Sequence, residues 1–397
     1  MEGDIEATLE DIDEKIVHVV EKVNSTTSQI SQLNDKIVQL EAGFDMERAS
    51  YLRDQRDQLL NELAGLMDYT WYEDDNGGVT IMTGGKGLVT PQGASTLSTA
   101  VDSEGERKLY LNGKDVTSFF TKGQLGGYMD VMDDIKDNPL INLQRLVASV
   151  INEVNIVHRQ GYGIDTPSST NNNFFDALQI YTKDYSAGAY IDSAVISNPA
   201  TLTLDEYDIS FTGAANYVIT NHQTGATVAS GAYTPGGTIS FEGIDVVIDG
   251  AAAAGDSFFV SPLSNVIENF DVSLTDAELE KIAASDSDTA VSGKGNNENA
   301  LRIYELYHES LSDLSGASFE SYYRGIVSNV GVMSKSASDG LSFDDNMLFE
   351  LQKKREEASG VSIDEEAANL IRYQRAFEAG ARILKMTDEL LETLINL

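Results

Sequence analysis

The chain has 397 residues, enough for two or three domains, and 41% hydrophobic side chains from which to build cores. Its 27 Lys and Arg stand against 64 Asp and Glu, a formal net charge of -37, which argues strongly against a nucleic-acid binder working by phosphate neutralisation and disfavours docking on anionic membranes. Cysteine is absent, so a disulfide framework, a thiolate metal site and a cysteine nucleophile are excluded together. No apolar run reaches the roughly 18 residues of a membrane span, and Met1-Glu-Gly-Asp4 is unlike the start of a signal peptide.

Ile5, Leu9, Ile12, Ile16, Val19, Val23, Thr26, Ile30, Leu33, Ile37 and Leu40 follow at alternating spacings of four and three. This is the seam of a heptad helix, interrupted only by Thr26. At about 1.5 Å per residue it makes a rod of roughly 50 Å. Its seam needs a partner helix, in this chain or another. Gly43 is the expected breaker, and a second helix follows with Leu52, Leu59, Leu63 and Leu66 on one face.

Thr70–Tyr72 and Val79–Met82 then alternate as strands around the turn Glu73-Asp-Asp-Asn-Gly-Gly78, and Lys108–Asn112 continues the same small β element. Helical signals resume at Tyr128 and run through Leu140 to His158, with Leu143, Leu146, Val150 and Val154 expected inward. Gly161–Phe175 reads as a loop. Strands are predicted at Tyr207–Phe211, Tyr217–Thr220, Ala226–Ala229, Thr238–Phe241, Ile244–Ile248 and Ser257–Val260, separated by turns such as Pro235-Gly-Gly237. With no helix between them they predict an antiparallel sandwich or barrel, whose ends near Phe175 and Val266 should lie close together.

Helix returns at Asn299 and is expected to run to about Met333, with Leu301, Tyr304, Leu306, Tyr307, Leu311 and Leu314 inward. Ser334–Asp344 reads as a break. Ser362-Ile-Asp-Glu365 is a capping box for a terminal helix whose seam is Ile363, Ala367, Leu370, Phe377, Ala381, Leu384, Leu391 and Ile395.

The fold class is therefore α+β, elongated and multidomain: a long-helix bundle or coiled coil carrying antiparallel β insertions. The expected divisions are long helices over 1–70, a small β element over 71–125, a helical return and loop over 126–175, an antiparallel β domain over 176–265, a second helical return over 266–340, and a terminal amphipathic helix over 341–397.

The search for chemistry returns nothing convergent. None of His18, His158, His222 and His308 has a second histidine at metal-ligand spacing, and the zinc-protease pattern begun by His308-Glu309 fails at Ser312. Thr83-Gly-Gly-Lys-Gly87 lacks the spacer and the hydroxyl of a phosphate loop, so it reads as a turn at a strand end. Neither Glu73-Asp-Asp-Asn76 nor Phe343-Asp-Asp-Asn346 follows the calcium-loop ladder. No catalytic residue, metal or cofactor is implied.

Four stretches resemble the flagellar hook-associated protein 1 family. They are Leu52-Arg-Asp-Gln-Arg-Asp-Gln-Leu-Leu-Asn-Glu-Leu63; Gly123-Gln-Leu-Gly-Gly127 with Glu153-Val-Asn155 and His158-Arg-Gln-Gly-Tyr162; Lys281-Ile-Ala-Ala284 with Gly295-Asn-Asn-Glu-Asn-Ala-Leu301; and Tyr373-Gln-Arg-Ala-Phe-Glu-Ala379 with Glu389-Leu-Leu-Glu-Thr-Leu-Ile-Asn-Leu397. The last is similar to the carboxyl-terminal helix shared by rod, hook and hook-associated proteins, and the first two select the junction protein over the hook protein. Between Leu202 and Pro262 the likeness is looser, carried by Gly255-Asp-Ser-Phe-Phe-Val-Ser-Pro262 and the strand pattern.

The resemblance implies a non-enzymatic structural subunit that joins hook to filament outside the cell. Its implied partners are hook protein, a second junction protein, copies of itself and an export chaperone, with no nucleic acid and no membrane. It also implies an amino-terminal helix that pairs with the carboxyl-terminal one; nothing like it precedes Ile5, so the expectation is a truncated start. The assembly seam is expected at Leu370, Phe377, Leu384 and Leu391, joined by Leu394 and Leu397. Rival readings are another axial flagellar protein, a secreted adhesin whose β region binds a surface glycan, and an enzyme with its site in the β region.

Overall fold

The computed structural model describes residues 2–42, 46–102, 106–359 and 363–395. Two compact units emerge, 1–329 and 330–397.

The first unit opens with α1 (Glu2–Ala42) and α2 (Met46–Leu66). Of the eleven heptad positions Ile12, Ile16, Val19, Val23, Ile30 and Ile37 are buried, and Thr26 with them, whereas Ile5, Leu9, Leu33 and Leu40 are only partly covered. Fully burying each such aliphatic side chain is worth about 1.5–3 kcal/mol. The cover comes from this same chain. Beneath α1 lie α2, a four-stranded antiparallel sheet in the order β1 (Thr70–Glu73), β2 (Val79–Thr83), β3 (Lys86–Thr90), β4 (Gly93–Ala94), and a three-stranded one of β5 (Leu97–Val101), β6 (Arg107–Leu111) and β7 (Lys114–Asp115). The predicted hairpin is present in full, with Thr70 opposite Met82 and Glu73 opposite Val79. The expected single β element is two sheets. Gly43 lies outside the described residues.

Two asparagines on α1 clip the helix to these sheets. Asn24 donates to the carbonyl of Leu97 at 2.8 Å and accepts from its N–H at 2.8 Å. Asn34 does the same with Val79, at 2.7 and 3.1 Å. Each amide thus substitutes for a neighbouring strand at a place where the sheet meets a helix.

The α2 face differs from the expected leucine row. Leu63 and Leu66 are buried, but Leu52 and Leu59 are only partly so, and Ala49, Arg56 and Leu60 take the inner positions. Arg56 is 2% exposed. Its guanidinium donates to the buried carbonyl of Gly77 (2.6 Å), to Asn34 Oδ1 (3.2 Å) and to Glu73 Oε1 (3.1 Å). Arg53 beside it pairs with Glu41 and Glu73 and holds the Glu41 carboxyl below its ordinary range.

Next come α3 (Gly123–Ile135), a π-helical turn over Lys136–Leu140, and α4 (Ile141–Gln160). The helix starts five residues before Tyr128. The wide turn contains Pro139, whose ring and missing N–H do not fit a regular α-helical interior. The inward face of α4 is not the expected one. Ile141, Ala148, Ile151, Asn155 and His158 are buried with Val154, whereas Leu143, Leu146 and Val150 are only partly covered. Periodicity placed the stripe about one position off, because the buried arc includes polar residues that bind backbone.

The β region is the predicted antiparallel sandwich. Besides the expected strands it contains β8 (Tyr181–Asp184) and β9 (Ala189–Ile196). The others are β10 (Tyr207–Gly213), β11 (Asn216–Asn221), β12 (Thr227–Ala232), β13 (Thr238–Phe241), β14 (Ile244–Gly250) and β15 (Ser257–Ser261). The five-stranded sheet runs β12-β11-β10-β15-β8 and the three-stranded sheet β13-β14-β9. Tyr207, Ile209, Phe211, Phe258 and Val260 from the first meet Ile239, Phe241, Ile244, Val246 and Ile248 from the second in one core, with Tyr207 edge-on to Phe241 at 5.1 Å. Entry and exit are tied together: Phe175 pairs with Val272, and the N–H groups of Asp176 and Ser273 donate to the carbonyls of Asp271 and Phe174.

His158 gathers the surrounding loops. One ring nitrogen, Nδ1, lies 2.7 Å from the Asn172 carbonyl, and the other, Nε2, accepts from the N–H of Ala283 at 2.9 Å. Burial pushes its pKa down. Asn155 accepts from the N–H groups of Phe174 and Phe175, and Asn299 donates to the carbonyls of Ala283 and Val157.

After a single turn, α5 (Thr289–Ser292), the expected long helix is divided. Helix α6 (Glu298–Glu305) stops, the chain reverses through Ser315 and Gly316 at positive φ, and α7 begins at Phe319. Leu306, Leu311 and Leu314 are buried as expected, but Leu301, Tyr304 and Tyr307 face solvent. Periodicity shows neither where α6 stops nor the reversal that follows it. Conversely, the predicted break at Ser334–Asp344 is absent: α7 runs unbroken over Phe319–Ser359. Serine costs little in an exposed helix and a lone glycine about 1 kcal/mol. Here Lys335 pairs with Asp339 one turn on, and Ser342 and Asn346 side chains bond carbonyls one turn back. Helix α8 (Ile363–Ile395) ends the described chain; Ser362 of the predicted capping box is outside it.

Candidate assembly surface

The second unit consists of the end of α7 and α8, and its described side chains are solvent-exposed apart from the half-buried Met333. On α8, Leu370 is 65% exposed, Phe377 78% and Leu384 69%, seven residues apart along a single stripe. Ile371, Tyr373 and Ile383 widen it. Leu391 and Leu394 fall within the helix, but their side chains are outside the described set, as is Leu397 altogether. The structure therefore brings three of the six expected residues onto one exposed seam.

A second stripe went unread in the sequence. Leu341, Leu348 and Leu351 lie at spacings of seven and three on α7, with Phe343 and Met347 alongside, all exposed. Their periodicity was available, but the serines and Gly340 masked it. Apolar stripes of this length on monomeric soluble proteins mark surfaces that become covered by something else.

Nothing among the described residues gathers catalytic groups. His222 Nδ1 lies 2.8 Å from Asp208 Oδ2, which raises its pKa. Nearby Glu206 is taken up by Gln223 and Ser261. His308 packs against the ring of Tyr307. Gly84 and Gly85 form the turn between β2 and β3 at positive φ, where the phosphate-loop-like sequence lies. No group of three or more His, Cys, Asp or Glu among the described residues could hold a metal. An open cleft of about 610 Å³ between α4 and β9 is lined by Asn152, Asn155 and Arg159, whose side chains are engaged by Pro199, Phe175 and Asn173. No described helix is long and apolar enough to cross a membrane.

Three family models match the chain in register with these elements. The helical domain of flagellar hook-associated protein FlgK matches residues 1–175. The D2-like domain of flagellar hook-associated protein 1 matches 181–262. The carboxyl-terminal segment of flagellar basal body rod FlgEFG proteins matches 352–397. The chain belongs to the flagellar hook-associated protein 1 family.

Family members of this name include one from Escherichia coli, 27% identical over 393 residues, covering 95% of this chain and 70% of the relative. Another, from Bacillus subtilis, is 23% identical and covers 94% of this chain and 63% of its own length. The solved flagellar hook junction protein FlgK of Burkholderia pseudomallei shares the family fold at a TM-score of 0.58 and 22% identity, over 71% of this chain and 52% of that one. The chain thus spans between about half and 70% of these three relatives.

Proposed function

We propose that this chain is a structural subunit of the bacterial flagellum that joins hook to filament. It works through packing and not through catalysis, and its terminal helices and lateral faces bury against neighbouring subunits. The observation that carries the reading is the exposed heptad stripe of α8, Leu370, Phe377 and Leu384, on the segment that matches the family of axial rod proteins. Leu391, Leu394 and Leu397 extend the same register towards the end of the chain. Partners on this reading are hook protein, a second junction protein, further copies of the chain and, before export, a chaperone. The site of action is the extracellular flagellum. The sandwich of 176–265 is carried between helical blocks, its core shared with Ile141, Ala148 and Ile151 of α4.

The test is Phe377→Asp with Leu384→Asp, introduced into the gene in a flagellated cell. Burying each native side chain is worth about 1.5–3 kcal/mol, and an unpaired carboxylate at the same place adds a desolvation cost of several kcal/mol. The expected result is secreted but unincorporated protein and detached filaments, with thermal unfolding of residues 2–329 nearly unchanged. Normal joining of hook to filament, or collapse of the main unfolding transition, would overturn the proposal.

A further inference from the structure

From Ile209 through Phe241 the chain contains no Asp, Glu, Lys or Arg, although 23% of all its residues are of those types. This stretch forms most of β10 and all of β11, β12 and β13. The sheet orders place β12 at one end of the five-stranded sheet and β13 at one end of the three-stranded sheet. The turn between them is short. It is held by the Tyr233 hydroxyl donating to the Gly250 carbonyl at 2.9 Å and by the Gly236 N–H donating to Ile248 at 2.8 Å. Both open edges therefore lie on one flank of the sandwich. Thr227, Ser230, Ala232, Thr238 and Ser240 are the exposed side chains there, all small and uncharged.

The opposite flank supplies an internal contrast. It is made by β8 and β9, which pack side by side, and it carries Lys183, Asp184 and Asp192. Acids also lie over the rest of the region, at Asp205, Asp208, Glu242, Asp245, Asp249 and Asp256, and Lys183 is the sole Lys or Arg between Tyr181 and Pro262. An open sheet edge offers unpaired N–H and C=O groups to any passing strand, and soluble proteins guard such edges with charge. One flank is guarded here and the other is bare.

We propose that the β12–β13 flank is the surface through which the β regions of neighbouring copies of this chain touch. A chain of net charge -37 repels its own copies wherever carboxylate faces carboxylate. The β12 and β13 strands themselves carry no carboxylate, Glu242 lying just past the end of β13, and their small side chains let backbone approach backbone. The inference rests on the reading of the chain as a polymer subunit, which sets copies side by side. A single contact of this kind is weak, and repetition around an assembly makes it count.

The test places the photo-crosslinking side chain benzoyl-phenylalanine at Ser230 on the bare flank or at Asp192 on the guarded one, in the full chain. Each variant is irradiated both as concentrated purified protein and in isolated flagella. The expected product is an adduct of two copies of the chain, several-fold more abundant from Ser230 than from Asp192. Adding Thr227→Glu to the Ser230 variant should abolish it, while circular dichroism and the melting curve stay unchanged. If Thr227→Glu disturbs the fold, Thr238→Glu on β13 takes its place. Equal yields from the two flanks, no two-copy adduct in either setting, or adducts only to a different protein would overturn the proposal. Absence of the chain from flagella, read by mass spectrometry, would sink the flagellar reading instead, and the purified protein still decides the flank.

Discussion

Arg56 occupies a place on α2 where the helical seam would accept a leucine, and replacing it by methionine separates its polar role from its bulk. Three acceptors lose a donor in Arg56→Met. Glu73 keeps Arg53 and is partly exposed, so its loss is small. Asn34 Oδ1 keeps the N–H of Val79. The Gly77 carbonyl is buried and, of the three, is the group whose contact with Arg56 is shortest, at 2.6 Å. Leaving such a group unsatisfied costs about 1–3 kcal/mol. Against this stands relief from burying a guanidinium, which can make an apolar replacement neutral. The Gly77 and Asn34 bonds favour a net loss of about 1–3 kcal/mol for Arg56→Met, and Arg56→Ala should lose about 2 kcal/mol more through lost packing. Arg53→Met, at a third-exposed position, should lose at most about 1 kcal/mol. The assay is urea unfolding followed by fluorescence of Trp71, the single tryptophan, which sits on β1 two residues from Glu73. Arg56→Met within about 0.5 kcal/mol of the parent, or more stable than it, would refute the reasoning and make the side chain a filler.

The two asparagine clips should differ in their coupling to that arginine. Asn34→Ala and Arg56→Ala share a hydrogen bond and should be non-additive by about 1 kcal/mol or more, whereas Asn24→Ala and Arg56→Ala should add; equal coupling energies in the two double-mutant cycles would contradict the geometry. His158 should make the first unit acid-sensitive. Its folded pKa lies below the unfolded value of about 6.5, so its contribution is complete above that pH and is lost as pH falls towards the folded pKa, by at most about 1.4 kcal/mol per pH unit. His222, raised by Asp208, acts in the opposite sense. The measurement is therefore parent stability minus that of His158→Gln, and a difference independent of pH between about 7.5 and 5 would refute the locked neutral ring.

Much of the fold was legible because it is written in period. Ile12, Ile16, Val19, Val23, Ile30 and Ile37 announce a buried helical face, and alternation in Tyr207–Phe211 and Ile244–Ile248 announces half-buried strands, since the backbone geometry of each element dictates which side chains share a side. The terminal seam at Leu370, Phe377 and Leu384 was visible for the same reason. Composition misled at Ser334–Asp344, where turn-forming residues sit in a continuous helix, and at Leu301, Tyr304 and Tyr307, where apolar residues face solvent.

What only the tertiary structure decided is the fate of the polar groups. Nothing local distinguishes Arg56 from Arg53, or marks Asn24 and Asn34 as the clips that hold α1 to the sheets. Their burial depends on a carbonyl of the β1–β2 turn and on the strand end at Val79, which folding brings to them from elsewhere in the chain. His158 likewise becomes a keystone when Asn172 and Ala283 arrive on its two nitrogens. The partner of α1 was equally undecided, since a heptad seam states that a face must be covered and not by what. Period is a property of one segment and can be read from it; a buried hydrogen bond belongs to two segments and exists only after they meet.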